Sequence, residues 1–69
     1  MENQIRISDI PAPLLSRVCP CTLFIDGHSK GAIKRIYLAT DSYRIMFEGV
    51  GGEYRYTRES LENAILRLW

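Results

Sequence analysis

The residues of this chain with the most distinctive chemical potential are two cysteines separated by one proline, Cys19-Pro20-Cys21. Thiolates are good zinc ligands, and His28, the sole histidine, is near enough in sequence to be a third ligand. Structural zinc sites usually take four ligands, so the metal would have to be shared between two copies of the chain. The simpler interpretation is that Cys21 packs as a small apolar residue and His28 lies in an exposed turn. We therefore predict no cofactor.

A second candidate set consists of basic residues interleaved with tyrosines. If cross-strand pairing brings the basic residues to one sheet face, they form a stripe that contacts phosphates while neighbouring tyrosines stack on bases. The alternatives are that these charges only solvate a half-buried sheet or that they meet an acidic protein. The 9 Lys and Arg against 8 Asp and Glu supply no bulk attraction for nucleic acid. The candidate nucleic-acid-binding residues are Lys34, Arg35, Tyr37, Arg44, Tyr54, Arg55 and Tyr56.

A catalytic site is not indicated. General acid–base chemistry at His28 needs a positioned second group, and none is visible in the sequence. The glycine-rich segment 49–52 leads into a strand-like run and lacks the helix and lysine of a phosphate-binding loop, so it predicts a hairpin. We therefore expect a non-enzymatic binding or regulatory module.

The elements that must position these residues are mostly strands. Tyr43, Ile45 and Phe47 alternate with Arg44, Met46 and Glu48, which is the pattern of a strand with one apolar face. Residues 32–40 fit either a helix or a strand, and their β-branched and aromatic content favours a strand. The predicted fold is mainly β with some helix, a small barrel or twisted antiparallel meander of four or five strands, with strands near 22–26, 32–40, 43–48 and 53–57 and a turn at 27–31.

Helices are predicted at both ends of the chain. Residues 1–10 alternate like an edge strand, and the prolines after Asp9 suit the first turn of a short helix capped by that aspartate. Residues 58–68 place Leu61, Ala64, Ile65 and Leu68 on one helical stripe, with Thr57 as the cap. The alternative is a helix limited to 58–63 and a closing strand over 65–69.

Leu66 and Trp69 are the candidate interface residues. Leu66 lies off the apolar stripe of the predicted helix, and Trp69 is a large indole at the end of the sequence. Two such residues on a small domain predict a homodimer contact, because exposed apolar patches mark association sites. The ordinary alternative is that Trp69 folds back onto its own core.

The predicted order of elements is a short helix, a strand, a glycine-containing turn and a further meander. Its key residues are the alternating apolar residues and glycines Leu23, Ile25, Gly27, Gly31, Ile33, Tyr43, Ile45 and Phe47. This pattern resembles the Sm-like and SH3-like small barrels over roughly residues 11–57. The resemblance implies RNA binding by ring-shaped oligomers, through loop residues matching 27–29 and 56–58.

Length and composition predict one domain over residues 1–69, located in the cytoplasm and lacking a membrane span. We expect a self-associating module that binds single-stranded nucleic acid. The alternatives left open are a protein–protein adaptor acting as a homo-oligomer and a small thiol or zinc protein using Cys19 and Cys21.

Overall fold

The computed structural model describes residues 3–69 of the chain. Within that range the chain forms six strands: β1 (Gln4–Arg6), β2 (Cys21–Ile25), β3 (His28–Leu38), β4 (Ser42–Phe47), β5 (Tyr54–Thr57) and β6 (Ile65–Leu68). The helical elements are three short 3-10 segments, Ile7–Asp9, Ala12–Arg17 and Glu59–Leu61. The prediction of a mainly β fold is confirmed, with more strands and less helix than expected.

The six strands form one open antiparallel sheet in the order β1-β6-β2-β3-β4-β5. The edges are therefore β1 and β5, which lie far apart in the sequence. The first and last strands in the sequence are neighbours in the sheet, because β1 pairs with β6 from Gln4↔Arg67 to Arg6↔Ile65. The predicted edge strand near the N-terminus is thus present as three residues.

The turn between β2 and β3 is tighter than predicted. Asp26 and Gly27 alone connect the strands, both with positive φ (53° and 79°), as a two-residue turn of the type I′ class requires. His28 therefore pairs with Ile25 and begins β3, whereas the sequence predicted a turn extending to residue 31. The prediction that 32–40 is a strand is confirmed up to Leu38.

Two irregularities bend the long strand β3. The pairing with β2 steps from Leu23↔Gly31 to Phe24↔Ser29, so Lys30 is an extra residue on β3. The pairing with β4 steps from Ile33↔Phe47 to Arg35↔Met46, which makes Lys34 a second extra residue. Such bulges increase local twist and re-aim side chains. Here the second bulge leaves two consecutive basic residues, Lys34 and Arg35, exposed.

The predicted C-terminal helix over 58–68 is wrong. Its first turn exists as the 3-10 helix Glu59–Leu61, where the Thr57 hydroxyl accepts a hydrogen bond from the Ser60 amide at 3.1 Å. The remainder is β6, which lies between β1 and β2 and pairs with both. Two neighbouring strands satisfy its backbone and bury Leu66, and this outweighs the helical spacing of the apolar residues.

The predicted N-terminal helix is two 3-10 segments. Pro11 is the N-cap of the longer one, and no side chain caps it, so the proposed role of Asp9 as a cap is wrong. Proline cannot donate a backbone hydrogen bond, and the bonds that form are short-range: Leu14 N–H to Pro11 C=O at 2.8 Å and Val18 N–H to Leu15 C=O at 3.3 Å. Leu15 from this segment is buried.

The core lies against one face of the sheet. Fully buried side chains from the strands are Cys21, Leu23, Ile33, Ile36, Ile45 and Leu66. Ile7, Ile10, Leu15, Leu61 and Ala64 from the connecting segments join the same cluster. We call this the inner face and the opposite side the outer face. Side chains alternate between the two along each strand.

Candidate nucleic-acid interface

Tyr37, Arg44 and Arg55 lie in one row across the outer face. Arg44 is in the middle of the row, directly opposite Tyr37 of β3 on one side and Arg55 of β5 on the other. Residues directly opposite each other in an antiparallel pair project from the same face, so their side chains are neighbours. The predicted meeting of Arg44 and Arg55 on one face is therefore found.

Arg35 adds a positive charge to the adjacent row. It pairs with Met46, two residues along β4 from Arg44, and so belongs to the same face. Lys34 precedes it at the bulge and is exposed. These two residues extend the basic surface from β5 across β4 to β3.

A carboxylate lies within this basic surface. The Tyr37 hydroxyl donates a hydrogen bond to Glu53 Oε2 at 2.6 Å, and Arg44 Nη1 lies 3.3 Å from Glu53 Oε1. The bond from Tyr37 is the largest cause that lowers the pKa of Glu53, and Arg44 acts in the same direction. The same bond raises the pKa of Tyr37, because the hydroxyl must keep its proton in order to donate.

Tyr54 and Tyr56 lie on the other face from Arg55, so the structure does not bring them into the basic row. Tyr54 pairs with Ile45, and Tyr56 pairs with Tyr43, both on the inner side of β4. Tyr54 meets Phe47 edge to face, with ring centroids 5.5 Å apart and an interplanar angle of 78°. Alternation along a strand requires this separation, since residues 54 and 56 flank residue 55.

The outer face also carries two basic residues that the sequence analysis missed, Arg6 and Arg67. Arg67 pairs with Gln4 of β1 and Thr22 of β2, and Arg6 pairs with Ile65. Both side chains are exposed. The sequence pattern that indicated an outward-facing Arg67 was its alternation with Leu66 and Leu68. The prediction of a helix over this segment concealed that pattern.

Trp69 and Leu66, the predicted interface pair, have different environments. Leu66 has no exposed surface and packs in the core between Ile5 and Leu23, so it is not available to a partner of the folded chain. Trp69 is 69% exposed, and its Nε1 donates a hydrogen bond to Thr22 Oγ1 at 3.0 Å. Since Thr22 pairs with Arg67, the indole lies on the basic outer face.

The acidic residues among residues 3–69 all lie outside the strands. Asp26 is in the β2–β3 turn, Asp41 is in the β3–β4 turn, Glu59 begins the third 3-10 helix and Glu62 is its C-cap. Arg6, Lys34, Arg35, Arg44, Arg55 and Arg67 project from five of the six strands. A chain with a net charge of only +1 therefore has a strongly positive outer face.

Cys19 and Cys21 are not joined by His28. Cys21 pairs with Ile33 at one end of β2, whereas His28 pairs with Ile25 four residues away, about 13 Å along the strand at about 3.3 Å per residue. Among residues 3–69 no three His, Cys, Asp or Glu side chains are grouped as metal ligands would be. Burial, followed by the proximity of Cys19, raises the pKa of Cys21 to about 12. Burial also raises the pKa of Cys19.

We expect Cys21 to resist alkylation by iodoacetamide near neutral pH until the chain unfolds. The thiolate is the nucleophile, and a buried thiol with a raised pKa supplies very little of it. Mass spectrometry of native samples should show Cys21 unmodified, while the same protein in guanidinium should take up two labels. Rapid labelling of native Cys21 would contradict this account and favour an exposed, reactive thiol pair.

No family model, curated protein or solved structure matches the chain. Within the part of the chain that the structure describes, the helices are far shorter than a bilayer crossing requires.

Proposed function

We propose that this protein is a non-enzymatic module that binds single-stranded nucleic acid, RNA or DNA, across the outer face of its sheet. The observation that carries the proposal is the segregation of charge. Five strands each contribute basic side chains to one face, whereas the acidic residues among residues 3–69 lie outside the strands, in turns, loops and 3-10 segments. Phosphate contacts by Lys and Arg supply most of the affinity in sequence-independent binding.

Exposed aromatic side chains on the same face favour a single strand over a duplex. Tyr37 is 40% exposed beside Arg44, and Trp69 is 69% exposed on the side of Arg67. Unpaired bases stack on such rings, and each stacked base contributes about 1–3 kcal/mol. In a duplex the bases are already stacked on each other, so these rings would find no partner there.

The direct test is fluorescence anisotropy with a labelled oligouridylate of about 12 nucleotides, within the range of site sizes of small β-domains. Arg35→Ala and Arg55→Ala should each weaken binding about two- to tenfold and reduce the slope of log K against log salt by about 0.7. Arg17→Ala is the matched control, because Arg17 is exposed on the 3-10 helix that packs against the core side of β3. It should leave affinity and slope unchanged.

Absence of binding at about 50 mM salt would overturn the proposal. The second candidate is then a protein adaptor that acts as a homo-oligomer. One observation favours it: β5 is an edge strand that pairs only with β4, so its outer backbone groups can pair with a strand of another chain. Sedimentation velocity across a range of concentrations would detect such self-association.

A further inference from the structure

Glu53 is an exception to the charge pattern of the outer face. Its ion pair with Arg44 is the one found among residues 3–69. The carboxylate comes directly after the glycine-rich loop and directly before β5, beside the row that contains Tyr37, Arg44 and Arg55. An acidic residue beside the basic row of the proposed nucleic-acid-binding surface requires an explanation.

Both oxygens of Glu53 are held by groups that bind phosphate well. One accepts from the Tyr37 hydroxyl at 2.6 Å and the other lies 3.3 Å from Arg44 Nη1. A phosphodiester also presents two oxygens that share one negative charge, and guanidinium and hydroxyl donors suit both anions. The carboxylate therefore has the contacts expected of a backbone phosphate.

The positive charge around Glu53 exceeds what one carboxylate neutralises. Arg44 lies directly opposite Arg55, and like charges in this arrangement destabilise a sheet. Arg35 also acts on the site from the adjacent row, since its charge adds to the effects of Tyr37 and Arg44 that lower the pKa of Glu53. Two arginines act on this single carboxylate and a third, Arg55, lies opposite Arg44, which leaves a local excess of positive charge that a further anion would relieve.

The Glu53 side chain can also move away from Tyr37 and Arg44 without disturbing the core. It is exposed, and the preceding loop contains Gly49, Gly51 and Gly52, around which the structure shows open space. Residues of this kind reorient at little cost in packing.

We propose that Tyr37 and Arg44 form a binding position for one phosphodiester, which the Glu53 carboxylate occupies in the free protein and leaves when nucleic acid binds. Glu53 thus acts as an internal competitor that weakens binding. The inference rests on the proposed function, because it names the contact that one phosphate of the bound strand makes.

The test compares Glu53→Gln with Glu48→Gln in the oligouridylate titration. Glu48 is an exposed carboxylate at the end of β4, so its substitution removes the same charge nearby without releasing Arg44. Glu53→Gln should tighten binding about two- to fivefold, the range expected for release of an exposed ion pair. The slope of log K against log salt should stay close to that of the wild-type protein, because the wild-type complex makes the same phosphate contact once Glu53 has left Arg44. Glu48→Gln should tighten binding less.

A second comparison removes the arginine. In an Arg44→Ala background, Glu53→Gln should increase the affinity for the oligouridylate no more than Glu48→Gln does. The reason is that Arg44 is no longer present to be released from the carboxylate. Circular dichroism of each variant checks that it is folded.

The outcomes distinguish this inference from the proposed function. If the wild-type protein binds the oligonucleotide but the two glutamine variants bind equally, the internal competitor is refuted and the nucleic-acid module stands. If neither the wild-type protein nor Glu53→Gln binds at about 50 mM salt, both proposals fail together.

Discussion

We expect Leu66→Ala to lower the free energy of unfolding by about 2–5 kcal/mol, the range for removing a fully buried leucine side chain. Leu66 has no exposed surface and pairs with Ile5 on β1 and Leu23 on β2. A chain of 69 residues buries a comparatively small core and has little stability to lose. The variant should therefore be largely unfolded at moderate temperature, as urea denaturation followed by circular dichroism would show.

Leu14→Ala is the matched control for this prediction. Leu14 is 43% exposed on the second 3-10 helix, so losing its side chain should cost less than about 1 kcal/mol. If Leu66→Ala unfolds at the wild-type urea concentration but dissociates an oligomer, then Leu66 is an interface residue and β6 is not packed as described.

The second large effect is expected at Gly31, where β3 bends after its first bulge. Gly31 has φ near +119°, a conformation that side chains other than glycine rarely adopt. Gly31→Ala should lower the free energy of unfolding by about 1–3 kcal/mol through backbone strain. A steric clash is not the cause, since the added Cβ would lie 3.6 Å from Phe47 Cδ1, an ordinary contact distance. Thermal and urea denaturation of the purified variant measure the loss.

Gly51→Ala is the matched control, because it replaces a glycine with alanine at a position that does not require a positive φ. Gly51 does not have a positive φ, and a Cβ there would meet no atom within 4 Å. Its substitution should change stability by less than about 0.5 kcal/mol in either direction. Equal stability of the Gly31 and Gly51 variants would show that β3 does not bend as described.

The charge distribution limits what the net charge of the whole chain indicates about a partner. The formal net charge of +1 supplies no bulk attraction for nucleic acid, yet most of the basic residues lie on strands and the acidic residues among residues 3–69 lie outside them. Electrostatic attraction acts over about 10 Å at ordinary salt, so a ligand on the outer face responds mainly to the charges of that face. The relevant quantity is therefore the local charge.

The hypothesis of a zinc site shows that spacing along the sequence is also a limited guide to which side chains meet. Six residues separate Cys21 from His28, a distance that a loop would easily close. A straight strand with a two-residue turn instead places them at different positions along the β2–β3 hairpin. Proximity in sequence predicts proximity in space only where the chain between is free to turn back at the right residue.

The sequence by itself determined the β character of the middle of the chain. Alternation of Tyr43, Ile45 and Phe47 with polar residues sets which side of β4 is buried, because a strand has a period of two. The same alternation places Arg44 and Arg55 together on the outer face, once the hairpin between β4 and β5 is recognised. These local patterns needed no knowledge of distant residues.

Only the tertiary structure decided the secondary structure near the two ends of the chain and which residues make up the outer face. Residues 65–68 carry both a helical stripe and a strand-like alternation, and pairing with β1 and β2 selects the strand. That choice buries Leu66 and turns Arg67 and Trp69 outward beside Thr22, more than forty residues earlier in the sequence. The physical reason is that backbone hydrogen bonds to two neighbouring strands and burial in a shared core are contributions from distant segments, which no local pattern records.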